Sequence, residues 1–329
     1  MRSVAIIVFA VGLLAGAASA KEKDIERHEV AGDIDLNVVS LGNEAIFDLQ
    51  YTFTPEGIDR NDEIPPILRR FLLHPAAVWV DIAHDGGTRD AITTFQLGGE
   101  VYPFDGHLYA RAEGGFGRHL TIYDEPSEFG YWFATLYGEV GFRPVSGVQV
   151  GAFYRGNPIL GEDLDDKAPQ QAQRSGLEQT FGAIVSFATP NDRLYGSLSG
   201  YGIVNDWKFK VCPTCLYPGD ETVRGFGGSA RLSFQATMTV SFQIQGTIER
   251  NHWVDSRMSE DTHFMMQLQN LTLDKSVWSG LAQGDFIYWN SGRYAFRLSV
   301  GGGYQQAPPL VFARNTAIFH LGGGVLLRF

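Results

Sequence analysis

Residues 317–329, Ala-Ile-Phe-His-Leu-Gly-Gly-Gly-Val-Leu-Leu-Arg-Phe, set the reading of the whole chain. On one parity stand Phe319, Leu321, Gly323, Val325, Leu327 and Phe329; on the other stand Ile318, His320, Gly322, Gly324, Leu326 and Arg328. An apolar face against a face that tolerates charge, repeating every second residue, is a strand between two unlike environments. Lipid outside and water inside is the pair that fits.

Upstream the same pattern recurs. Val240, Phe242, Ile244, Gly246 and Ile248 alternate with Gln243, Gln245, Thr247 and Glu249. Similar alternation marks residues 77–82, 93–102, 108–116, 132–142, 148–154, 178–188, 194–203, 225–234, 278–288 and 294–304, and the charges in these segments keep to one parity. Between them the connections alternate in length. Short turns fall at 103–106, 144–147, 190–192, 236–237 and 290–292, and longer polar segments at 123–129, 157–175, 205–223, 253–276 and 305–316. Short turns on one side and long loops on the other predict an all-β, antiparallel, up-and-down transmembrane β-barrel with periplasmic turns and extracellular loops. Phe142, Phe187, Phe234, Tyr288 and Phe329 share the outward parity just before a short turn or the C-terminus, where amphipathic rings meet a membrane interface.

Residues 77–329 hold about twelve such strands, an even number that returns both ends to the periplasm. Adding a hairpin within 34–53 makes about fourteen, but puts residues 55–75, with Pro65-Pro66 and an amphipathic turn at 67–73, on the short-turn side. Twelve is the preferred count. Residues 21–76 are then a periplasmic or lumenal N-terminal segment.

Residues 1–20, with Arg2, an apolar run and Ala18-Ser19-Ala20, read as a secretory signal peptide. Beyond it no apolar run reaches the roughly 18 residues that a spanning helix needs. The 39 Gly, 23 Phe and 13 Tyr, with 44% hydrophobic residues overall, suit strands whose inner half is polar. A formal charge of -11 argues against nucleic acid as a partner.

Gly324, Leu327 and the terminal Phe329 resemble the C-terminal assembly signal of Gram-negative outer-membrane barrels. The resemblance implies the bacterial outer membrane as location, with its lipid, lipopolysaccharide and barrel-assembly machinery as partners. It implies no cofactor and no particular solute.

Of the charged residues on the inner parity, which include Arg328 and, near the rims, Glu249 and Arg155, seven are expected to line the lumen: Asp81, Glu100, Arg111, Glu113, Glu139, Arg231 and Arg297. Mixed signs fit pairing within the wall, and a channel for small solutes is the leading expectation. A structural or surface-interaction barrel is second. An outer-membrane hydrolase is third, with His84, His119, Asp124 and the stretch His252 to Ser256 near the outer ends, in no quotable catalytic motif. Cys212 and Cys215, in a loop of an exported chain, are expected to form a local disulfide. Their spacing is shared by redox motifs and zinc sites, but the helix or the further ligands those need are not in view. The acidic run 161–166 lacks the spacing of a calcium loop, so no metal site is expected.

Overall fold

The computed structural model describes residues 28–39, 42–53, 75–86, 90–101, 107–122, 128–145, 147–163, 173–189, 193–210, 219–255, 273–290, 294–306 and 315–328. The strands are β1 (His28–Val39), β2 (Gly42–Phe53), β3 (Pro75–Gly86), β4 (Asp90–Val101), β5 (Leu108–Ile122), β6 (Glu128–Val145) and β7 (Val148–Asp163). They continue as β8 (Gln173–Ala188), β9 (Leu194–Lys210), β10 (Gly219–Gln235), β11 (Val240–Asp255), β12 (Leu273–Asn290), β13 (Tyr294–Gln305) and β14 (Thr316–Arg328). Each pairs antiparallel with its sequence neighbours, and β1 pairs with β14, so the fourteen strands close into a barrel with no free edge. Closure satisfies the backbone of every strand, a condition the hydrocarbon imposes on anything that spans it.

Alternation becomes direction. On β14, Phe319 is 54% exposed and His320 only 4%; on β11, Phe242, Ile244 and Ile248 are exposed and Gln243 is buried. Among the described residues no second layer covers the outer wall, so its apolar side chains meet lipid, and polar side chains make the interior. Phe142, Phe187, Phe234 and Tyr288 all lie exposed on the outer wall next to the short turns, as an interface belt requires. No helix among the described residues is long and apolar enough to cross a membrane.

Fourteen strands, not twelve, correct the preferred count. The barrel begins at His28 rather than near residue 77, because the segment read as an N-terminal tail supplies β1 and β2. Residues 54–74 therefore do join two strands at the short-turn end, the placement that had counted against fourteen. Closure outweighs the rule that connections at this end are short, since β1 is the partner β14 needs. Strands are also longer than their apolar cores. β7 runs to Asp163, β9 to Lys210 and β11 to Asp255, into stretches expected as loops. Residues 1–20, the turn at 67–73, Cys212, Cys215 and Phe329 lie outside the described residues.

Candidate functional site

The seven charges expected in the lumen all sit on inward register positions. Glu100 pairs across with Arg111, and Arg111 with Glu139, so one row crosses β4, β5 and β6. Arg111 also donates to Glu113 two residues along its own strand, with Nε at 2.8 Å. Glu139, 8% exposed, accepts hydrogen bonds from Tyr109 at 2.6 Å and from Tyr137. A buried carboxylate is tolerated at that depth because two phenolic hydroxyls replace the water it lost. The Tyr137 ring lies beneath both the Arg111 and the Arg155 guanidinium groups, at 5.6 and 5.7 Å. It stacks on Phe153, which meets Tyr201 edge-on, and Tyr201 donates to Glu249 at 2.8 Å. Charge, ring and hydroxyl thus form one continuous band across β5, β6, β7, β9 and β11.

The other three expected charges lie apart from this row. Asp81 faces inward on β3, against the carboxyls of Asp48 and Glu113. Arg231 on β10 donates to Gln243 through Nε at 2.9 Å, and Gln243 donates to buried Asp285, also at 2.9 Å. Arg297 on β13 pairs with Asp33 of β1 at 3.2 Å. That ion pair reaches over β14 at Gly324, which stands in register with both partners. A Cβ there would come within 1.6 Å of the Asp33 carboxylate, so any other residue would push that side chain aside from its present place. Gly324 was read from sequence as part of an assembly signal; Leu327 stands three residues on, on the outward parity of β14.

Above the charged row, toward the outer ends of β3–β8, lies a recess of about 400 Å³. Asp81, Glu113, Glu178 and Arg155 supply its charges, and Ile92, Ile159, Tyr131 and Phe133 its apolar wall. Its floor shares Tyr137 with the band below. The β6–β7 ladder is irregular beside it. Register shifts between Trp132 and Phe133, and no pair joins residues 134–135 to 157–158, where Pro158 has no N–H to offer. An irregular ladder re-aims side chains, and Phe133, Thr135, Asn157 and Ile159 around this one all line the recess. Phe133 lies over Gly117 of β5, where a Cβ would meet its ring at 2.3 Å.

Asp48, Tyr109, Arg155, Tyr137 and Thr135 were not singled out as site residues in the sequence; inward parity marks each, but only cross-strand register brings them together. The hydrolase candidates are dispersed. His119 faces inward with its ring tilted against that of Tyr131, centroids 4.8 Å apart, while His252, on the outward face, meets Ser276 at 3.3 Å. Asp124 and Ser256 lie outside the described residues. Among the described residues no group of three or more His, Cys, Asp or Glu is arranged to hold a metal ion.

No protein-family model matches the chain, and no curated protein matches it by sequence. Among solved structures, the CymD monoaromatic hydrocarbon channel is similar with a TM-score of 0.53 at 8% identity, over 93% of this chain and 90% of that one. The Pseudomonas putida toluene transporter TodX gives 0.47 at 8%, over 94% and 90%. Omp33 of Acinetobacter baumannii gives 0.41 at 13%, over 93% and 99%. At such identities the likeness shows fold alone. Strands closed on themselves with apolar side chains outward need a bilayer around them: the chain is a closed transmembrane β-barrel, a fold consistent with a bacterial outer-membrane location.

Proposed function

We propose that the protein is a channel for small solutes. The supporting observation is the charged row Glu100–Arg111–Glu139 on the inner wall of a fourteen-strand closed barrel. With strands ~4.8 Å apart and tilted by ~40°, fourteen of them give a backbone radius of about 14 Å. One layer of inward side chains does not reach the axis of such a cylinder. Acids and bases held in register on one side of a confined aqueous path present a fixed field to anything passing, with less screening than in bulk water.

Conductance of the refolded protein in planar bilayers tests the reading. Stepwise openings are expected, and their absence from protein shown to be inserted overturns it. In asymmetric salt, Glu100→Gln with Glu113→Gln removes two negative charges and releases Arg111, so the reversal potential should move toward anions. An unchanged potential would remove this wall as the determinant of selectivity.

A further inference from the structure

The outer recess owes its shape to what β5 leaves out. Between Glu113 and His119 the inward positions of that strand hold only Gly115 and Gly117. Gly115 pairs with Gln96 of β4 and Thr135 of β6, and Gly117 with Thr94 and Phe133, so two successive rows across the wall lack a side chain at β5. Phe133 lies down over Gly117; beside Thr135 there is bare backbone.

Oγ1 of Thr135 is the polar atom stranded by this arrangement. Thr135 is 7% exposed, lines the recess and makes no hydrogen bond through that oxygen. Along β6 its neighbours are Phe133 and Tyr137, whose hydroxyl is taken by Glu139, and no residue of β7 pairs with it. A buried hydroxyl without a partner raises the free energy of the empty state, and a ligand that hydrogen-bonds to it removes the cost. Oδ1 of Asp81 is also buried without a hydrogen bond, but it stands three strands away in the same row, roughly 14 Å along the wall.

The carboxyls around the recess call for no ion. Arg111 donates to Glu113, Asp81 shares a hydrogen bond with Asp48, and Glu178 has partners of its own. A charged solute would have to compete with these contacts, whereas a neutral one leaves them in place. Apolar shape narrows the choice further. Tyr131 and Phe133 form adjoining walls, with centroids 6.0 Å apart and planes at 52°, and His119, tilted against Tyr131, backs that ring. A corner of two angled rings receives a flat ring, offset against one and edge-on to the other.

We propose that this recess binds neutral aromatic alcohols, with the hydroxyl at Oγ1 of Thr135 and the ring in the corner of Tyr131 and Phe133. The inference rests on the channel reading for the route by which such a molecule arrives, and names its substrate class. A volume of about 400 Å³ holds a single ring with a short arm. Lying above the Glu100–Arg111–Glu139 row, the recess is met first by a solute coming from outside.

Equilibrium binding to the refolded full-length chain in detergent, with empty micelles as the blank, tests the site without requiring conduction. The probes are 2-phenylethanol, ethylbenzene, which lacks the hydroxyl, and two ions of similar size, phenethylammonium and 3-phenylpropionate. 2-Phenylethanol should bind saturably and about fivefold more tightly than either ion. Thr135→Val should weaken 2-phenylethanol about threefold and leave ethylbenzene unchanged, because only the alcohol meets the hydroxyl. Phe133→Leu should weaken both about threefold. Should Thr135→Val fail to refold, Phe133→Leu and the order of alcohol and ions decide. No saturable binding of 2-phenylethanol, equal or tighter binding of either ion, no effect of Phe133→Leu, or an equal effect of Thr135→Val on alcohol and hydrocarbon overturns the site. Saturable binding by a protein that does not conduct would retain the site and overturn the channel; conduction without such binding would do the reverse.

Discussion

The barrel has a low side and a tall side. β13, β14 and β1–β4 are 12 or 13 residues long, whereas β5–β12 run from 15 to 18. At roughly 2.6 Å of height per tilted residue, the low side rises about 31 Å and the tall side as much as about 47 Å, against an apolar band of ~25 Å. The low side ends close to the membrane surface. On the outer face of the tall side, eleven or twelve residues up from the short-turn ends, stand three arginines: Arg118 lies over Trp132 at 5.5 Å, Arg250 over Trp278 at 5.6 Å, and Arg224 pairs with Asp206 at 2.6 Å. At about 29–31 Å above those ends they stand higher than an apolar band of ~25 Å, so anionic lipid headgroups are their expected neighbours. The two sides are also braced differently. The tall side is held by the interior band around Glu139 and Tyr137, the low side by Asp33 to Arg297 across the β1–β14 seam and by Ser299 to His320 between β13 and β14, the latter at 3.0 Å.

If that division is right, the largest loss follows from removing the hub of the tall side. Glu139→Ala strands the hydroxyls of Tyr109 and Tyr137 and should cost about 2–4 kcal/mol, read as a lower urea midpoint in detergent with unchanged slope. Next is the seam. Gly324→Leu should cost about 1–3 kcal/mol and speed reopening of the ring, followed by the gel shift between heated and unheated samples. Gly138→Leu on the tall side should do neither, since nothing lies within 4 Å of a Cβ there. Equal effects of the two glycine replacements would erase the distinction.

A smaller effect is expected from Asp33→Asn. The pair with Arg297 is partly exposed, with side chains 31% and 22% accessible, so the loss should be about 0.5–1 kcal/mol and shrink in high salt. Exchanging the two, as Asp33→Arg with Arg297→Asp, should recover much of it. Smallest is Arg118→Gln with Arg250→Gln, at about 0.5 kcal/mol for each ring contact. That loss should grow when lipopolysaccharide is added to the lipid. A loss indifferent to lipopolysaccharide would mean the tall outer face meets no headgroup.

The tall side was the legible one. In β11 from Val240 to Glu249 the outward positions carry apolar residues and one glycine and every inward position is polar, so parity reads without ambiguity. In β1 the same alternation is present, Val30, Ile34, Leu36 and Val38 against Glu29, Asp33, Asp35 and Asn37, but Gly32 outward and Ala31 inward dilute it, and the acids suggest a solvated tail. Residues 54–74 then argued against adding a hairpin, because connection length is a tendency while closure is a necessity. Missing β1 also hid Asp33, and with it the partner of Arg297. Inward charges could be named from parity alone. The recess could not, because Asp81, Thr135, Arg155 and Glu178 come from four strands, and their meeting depends on registers and on an irregular ladder that no single segment encodes.

The tie between Asp33 and Arg297 has a consequence in time. Its partners lie 297 − 33 = 264 positions apart along the chain, and the strand they reach over is the last of the fourteen. No partly assembled sheet contains the contact; it forms once the first strand has found the last. An interaction absent until the end of assembly leaves the forward rate almost untouched and acts on the reverse one. Its weakening would therefore be felt less as a shift in how much protein folds than as a shorter lifetime of the folded ring, most visible when samples are held for long periods near the temperature at which the seam first opens.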